Sequence, residues 1–215
     1  MTTDEILDIL EERFPDAHCE LDHRNPFELL IAVVLSAQTT DAAVNKVTPA
    51  LFEAFPTPES LANANIVNIE EKIKRIGLYR TKARSIQTLS KSLLEKFDGV
   101  VPQSMKELTS LAGVGRKTAN VVRSVCFDIP AIAVDTHVDR ISKRLGLAKV
   151  YDSVEVVEKK LKRKLKRERW NKAHHLFIFF GRYQCTARNP QCDGCKFHSF
   201  CKKDKLDKYK QSLQG

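Results

Sequence analysis

Four cysteines crowd into a short stretch late in the chain. Cys185, Cys192, Cys195 and Cys201 follow the spacing C-x6-C-x2-C-x5-C within "CTARNPQCDGCKFHSFC". No other feature restricts the fold as tightly, because four thiols on one short loop must pair with each other or converge on a metal. The opening "MTTDEILDILEERF" is acidic and amphipathic, without the basic and apolar regions of a signal peptide. This predicts a cytoplasmic protein, and disulfides are disfavoured there. A metal is therefore expected. Zinc ribbons and fingers usually set two short ligand pairs across a long spacer. One pair with two outliers better suits four thiolates around an iron-sulfur cluster, with zinc as the alternative. Cys19 and Cys126 stand alone in apolar-flanked segments and read as small buried hydrophobes.

The rest of the chain reads as helix. Ile6, Leu7, Ile9 and Leu10 share an amphipathic face. "PFELLIAVVLSAQ" (26–38) is apolar nearly all round, and its opening proline favours a buried helix over a strand. "TTDAAVNKVTPALFEAF" offers Thr40 or Asp41 as an N-cap, and "NIEEKIKRIG" ends at Gly77, a natural helix stop. Ile86, Leu89, Leu93 and Leu94 share one face of the next helix. Ser104 and Glu107 form a capping-box pattern. "DIPAIAVD" (128–135) is extended and is the candidate domain boundary. Beyond it, Val154, Val157, Leu161 and Leu165 form an apolar stripe opposite the charged run "KKLKRKLKRER", which reads chiefly as a solvated face. No segment alternates as a strand, so the expected fold class is all-α. With 215 residues the chain suits one large domain or two small ones. It has no apolar run of the roughly 18 residues that a membrane helix needs, and no membrane association is expected.

Charge is unevenly spread. Residues 1–70 carry 3 Lys+Arg and 13 Asp+Glu, while residues 71–215 carry 33 and 14. A basic body of this kind suits a polyanion such as nucleic acid, although a basic soluble protein with no such partner fits equally.

The stretch "LAGVGRKTANVV" (111–122) has a phosphate-loop flavour but fails that pattern. A P-loop needs G-x-x-x-x-G-K-[ST] after a strand. Here Arg116 separates Gly115 from Lys117, and the preceding segment is helical. What remains is helix, Gly-Val-Gly, helix. The backbone N–H groups of Gly113, Val114 and Gly115 would face an anion at the start of a helix, as a DNA backbone phosphate requires. A plain helical turn is the alternative. Lys117 lies in the first turn beside Arg116, where the helix dipole, a neighbouring cation and partial desolvation would all favour a neutral amine. Such an amine is a nucleophile, whereas a solvated lysine would simply contact phosphate. Asp135, at the end of "PAIAV" and before a helix, suits an N-cap and equally a partly desolvated base or electrostatic stabiliser.

Taken together, "NPFELLIAVVLSAQTTD", "LAGVGRKTANVV", "VDTHVDRISKRLGL" and the cysteine loop resemble the endonuclease III family, DNA glycosylases and AP lyases of the helix-hairpin-helix superfamily. The resemblance runs from about Asn25 to Cys201. It implies two helical domains with a DNA-binding cleft between them. One is a six-helix domain over 20–129 carrying the hairpin. The other combines 1–19 with 130–215 and holds a [4Fe-4S] cluster on Cys185, Cys192, Cys195 and Cys201. It implies removal of oxidised pyrimidines from damaged double-stranded DNA, with strand cleavage 3′ to the abasic site through a Schiff base. Lys117 is then the catalytic lysine and Asp135 the catalytic aspartate. Gln38 would probe the gap left by the flipped nucleotide, and Leu78 would wedge beside it. Gly113, Val114, Gly115 and Arg116 would meet the DNA backbone, and His137 would contact DNA or order its loop. A monomer associated with the nucleoid is expected.

Two positions depart from the family pattern. Ala112 replaces a common proline before the Gly-Val-Gly, and Asp139 places an acid one helical turn after Asp135. An adenine-specific mismatch glycosylase shares the cluster and the aspartate but typically lacks the lysine. A non-catalytic iron-sulfur DNA-binding protein would need neither Lys117 nor Asp135.

Overall fold

A computed structural model describes residues 1–213. Among them are thirteen α-helices and no β-strand, the all-α class expected from the periodicity. The chain forms two compact units. One is contiguous, Cys19–Ile129, and the other joins residues 1–18 to the chain from Pro130 onward.

The contiguous unit contains α2 (Pro26–Leu35), α3 (Asp41–Asn45), α4 (Thr48–Ala54), α5 (Pro58–Ala62), α6 (Ile66–Ile73), α7 (Tyr79–Phe97), α8 (Met105–Thr109) and α9 (Arg116–Cys126). Helix α2 is the centre. Leu29, Leu30, Ile31, Ala32 and Leu35 are fully enclosed, each large one contributing about 1.5–3 kcal/mol. Asn25 caps it, its Oδ1 accepting from Glu28 N–H at 2.9 Å. Helices α7 and α9 pack against it.

The unit is cut into more pieces than the six helices expected. Thr40 caps α3, accepting from Ala43 N–H at 3.2 Å, but the helix breaks before Thr48. Pro49 has no N–H to bond the Asn45 carbonyl, so a continuous helix would leave that acceptor open. Ser104 caps α8 as expected, but no capping box closes. The Glu107 carboxylate accepts from the Ser104 hydroxyl at 2.6 Å rather than from its backbone N–H. Helix α6 stops at Ile73, short of Gly77, and Gly77 is not left-handed.

The second unit contains α1 (Thr3–Arg13), α10 (Thr136–Arg144), α11 (Val154–Lys164), α12 (Trp170–Tyr183) and α13 (Lys203–Ser212), with short 3-10 turns at Arg167–Arg169 and His198–Phe200. Ile6, Leu7 and Leu10 of α1 join Val138, Ile141, Val157, Leu161, Leu176, Phe177 and Phe180 in one core. Arg169 clamps α1 from outside, bonding Asp8 at 2.7 Å and Glu11 at 3.2 Å. Val154 is not part of the α11 stripe. It is 46% exposed at the helix start, while Val157, Leu161 and Leu165 are buried. On the charged face of α11, Lys162 pairs with Glu158 at 2.5 Å.

Candidate functional site

The hairpin forms between α8 and α9. Gly113 takes φ +75°, a conformation that side-chain-bearing residues adopt only at a cost. Val114 is buried, and its N–H donates to Leu111 O at 3.2 Å. Of the three N–H groups expected to face an anion, this one is therefore engaged. Gly113 and Gly115 are exposed and, among the described residues, donate to no acceptor in the chain. Gly115 opens α9 without a side-chain cap, so the helix presents unsatisfied N–H groups and the positive end of its dipole. Lys117 follows in the first turn and is exposed. The partial desolvation expected of it is not supplied by its own unit.

Gln38 and Leu78 share a feature that the sequence does not announce. Both are left-handed, with φ 54° and 59°. For a residue with a side chain this costs about 1–2 kcal/mol. Leu78 takes that conformation although a glycine directly precedes it, and it is 61% exposed. An exposed apolar side chain held on strained backbone is the pattern of a residue kept for contact rather than packing.

Helix α10 begins at Asp135, whose Oδ1 accepts from Val138 N–H at 2.8 Å. The capping role is thus real, and it engages one carboxylate oxygen. Asp139 does not confront Asp135 as a bare charge, since it pairs with Lys143 at 2.8 Å. His137 is half-buried and lies 3.3 Å, ring Nδ1 to Nη2, from Arg140. Burial pushes its pKa below the ordinary histidine value, with the Asp135 carboxylate pulling the other way. A Cβ on Gly181 of α12 would come within 3.1 Å of both His137 and Arg140, which explains a glycine inside that helix.

The four cysteines line one small cavity, together with Leu145, Phe180 and Phe197. Gly194, at φ +69°, lets Cys195 N–H close a tight turn on Cys192 O at 3.1 Å, so the C-x2-C pair sits on one bend. Among the described residues, no three His, Cys, Asp or Glu side chains are drawn together as around a single ion. The thiols instead ring a shared space with apolar walls, and four soft donors in that arrangement fit a polynuclear iron-sulfur cluster. Burial raises the Cys201 thiol pKa, partly offset by its backbone hydrogen bond with Lys203 and by the Arg144 cation. Loading a metal there must displace protons.

The loop is held by two arginines that sequence reasoning missed. Arg144 is 1% exposed. Its Nη1 donates to Cys185 Sγ at 3.2 Å and Thr186 O at 2.7 Å, and its Nη2 to Ala187 O at 3.1 Å. Arg140 Nη2 donates to Gly181 O at 2.8 Å and Cys185 O at 3.3 Å. The available signal was their four-residue spacing, which puts both on one face of α10. Lys196 of the loop is paired with Glu12 at 2.9 Å. No helix among the described residues is long and apolar enough to cross a membrane.

Comparison with known proteins agrees with this geometry. Residues 31–167 match the family model "HhH-GPD superfamily base excision DNA repair protein", and residues 185–201 match the iron-sulfur binding domain of endonuclease III. Endonuclease III of Bacillus subtilis (strain 168) is 54% identical over 203 residues, 94% of this chain and 93% of that one. The Escherichia coli (strain K12) enzyme is 44% identical over 204 residues, 94% and 96% of the two chains. A solved structure of a trapped endonuclease III–DNA covalent intermediate superposes with TM-score 0.91 at 55% identity, covering 96% of this chain and 99% of that one. A thermostable thymine-DNA glycosylase, 21% identical with TM-score 0.81, shares the fold. The chain is an iron-sulfur, DNA-binding enzyme of base excision repair, a DNA glycosylase that belongs to the endonuclease III family within the HhH-GPD superfamily.

Proposed function

We propose that the enzyme removes oxidised pyrimidines from damaged duplex DNA and then cuts the strand 3′ to the abasic site, with Lys117 as nucleophile. The observation that carries this is the exposed Lys117 amine in the first turn of α9, two residues past the glycine that opens the helix. Gly113 and Gly115 N–H groups grip a backbone phosphate, which any sequence presents. The damaged nucleotide leaves the stack, at a cost of a few kcal/mol that damage itself lowers. Gln38 enters the gap and Leu78 wedges beside it, as apolar side chains do in kinked DNA.

The neutral Lys117 amine attacks the anomeric carbon. The glycosidic bond breaks, and its electron pair leaves with the base, which gains a proton. The amine gives up a proton as the sugar ring opens, leaving an iminium. Loss of a proton from the adjacent sugar carbon then expels the 3′ phosphate oxygen, and water hydrolyses the imine to restore the lysine. Asp135 uses Oδ1 on the Val138 N–H, which leaves Oδ2 to accept the lysine proton or stabilise the positive charge. Since Lys117 is exposed, the DNA that covers it removes its water. Cys185, Cys192, Cys195 and Cys201 hold the [4Fe-4S] cluster, which cross-links their loop. The enzyme works as a monomer on nucleoid DNA in the cytoplasm.

The test is borohydride trapping on a duplex carrying thymine glycol. Wild type should form a covalent complex and Lys117→Ala none. Trapping by the alanine variant, or none by wild type, would overturn the mechanism.

A further inference from the structure

Gln38 and Leu78 lie far apart in sequence, yet a single residue touches the support of each. Gln38 is the third residue of a turn closed by Thr39 N–H donating to Ser36 O at 3.0 Å. The Thr39 hydroxyl reaches back to Ala37 O at 3.5 Å. Leu78 is held by the first bond of α7, in which Lys82 N–H donates to the Leu78 carbonyl at 3.0 Å. The side chain of Lys82 runs the other way, and its Nζ donates to Thr39 Oγ1. Lys82 therefore grips the strained Leu78 turn with its backbone and the strained Gln38 turn with its ammonium.

This lysine is an anomaly in packing terms. It is only 5% exposed, and among the described residues no carboxylate pairs with it. Burial pushes its pKa below the ordinary lysine value. A buried ammonium held by a hydroxyl is costly, and a methionine would fill the same space without that cost. The polar contact must therefore serve something besides stability.

We propose that Lys82 is a positioning residue that locks the Gln38 turn to the Leu78 turn, so that the two side chains enter the duplex as one rigid pair. The inference rests on the reading of Gln38 and Leu78 as the residues that enter the DNA. Lys82 acts through Thr39.

The test compares Lys82→Met, which keeps the stem and removes the ammonium, with Thr39→Val, which removes the acceptor at a half-exposed position. Each variant is assayed on an abasic site in duplex DNA and in a single strand, where no partner strand has to be displaced. The readout is the duplex-to-single-strand ratio of kcat/KM. A 2-aminopurine base opposite the lesion reports insertion into the gap. We expect each variant to lower the ratio at least tenfold and to blunt the fluorescence rise. The double variant should be no worse than Lys82→Met alone, because the two changes break one contact. Lys82→Arg should recover part of the ratio.

Equal losses on both substrates, with a fall in melting temperature, would mean a merely structural lysine and would overturn the proposal. So would additive losses in the double variant. Leu78→Ala separates the two levels. If it lowers the duplex rate while Lys82→Met does not, the coupling is wrong and the wedge stands. If Leu78→Ala leaves the duplex rate intact, the wedge itself is wrong and the coupling falls with it.

Discussion

At Leu78 the chain accepts a conformation that it had an easy means to avoid. Gly77 directly precedes it, yet the left-handed residue is the leucine, at φ 59°. The strain of about 1–2 kcal/mol has no packing return, since the side chain is 61% exposed. Leu78→Gly should therefore not destabilise the protein. Relief of strain, less the roughly 0.5–1 kcal/mol of backbone entropy that a glycine loses on folding, leaves a net change between zero and about 1.5 kcal/mol in favour of the variant. Incision of duplex DNA should fall even so. A calorimetric melt and an incision assay check the two halves, and a variant that melts lower would show that the leucine packs. The glycine pair ahead of Lys117 and the helix start at Asp135 were legible in the sequence because each is a local signal. Lys82 was not legible. Its hydrogen-bond acceptor, Thr39, is 43 residues away, and no local pattern marks a lysine as enclosed.

At the scale of the element, α10 serves two ends at once. Its first residues follow Asp135, and its last, Arg144, reaches the cysteine loop. The cap of α10 was legible, and so was the cysteine spacing. The arginines were not, because charged residues on a basic helix read as solvent-facing until the packing of α12 and the loop is known. Arg144→Met keeps much of the volume and removes the donors to Cys185 Sγ, Thr186 O and Ala187 O. Each buried acceptor left unsatisfied costs about 1–3 kcal/mol. The variant should be purified with less iron per chain and weaker visible absorbance, while α10 itself stays folded by circular dichroism. Full iron content in Arg144→Met would show that the loop holds its own shape.

At the scale of the molecule, stability should depend on pH through a histidine unrelated to the chemistry. His175 of α12 is pushed from an ordinary 6.5 down to about 3, first by burial, then by its neighbours His174, His18 and Lys172. Below pH 6.5 the unfolded chain takes up a proton there and the folded chain does not. Stability from this group is thus full above 6.5 and declines as pH falls towards 3. The slope is about 1.4 kcal/mol per pH unit, or roughly 2 kcal/mol between pH 6.5 and 5. Denaturant melts of wild type and His175→Gln at pH 7 and pH 5 check this. The variant should lose less on acidification, and parallel losses would show that His175 titrates normally. The all-α class was legible because helical periodicity is local, and so was the extended 128–135 stretch. The breakage of the contiguous unit into short helices was less so, because it depends on where proline and solvent interrupt a run.

The second unit is built from segments on either side of the contiguous one, and this matters during synthesis. The contiguous unit can collapse while the ribosome is still working, but α1 cannot. Its apolar residues Ile6, Leu7 and Leu10 need Leu176, Phe177 and Phe180, and its acidic face waits for Arg169, a partner of Asp4 across 165 residues. At roughly 5–20 residues per second, α1 spends on the order of ten seconds or more without its partners. The nascent chain therefore carries α1 as an unsheltered greasy segment until α12 is made, a natural client for a chaperone stationed at the exit tunnel.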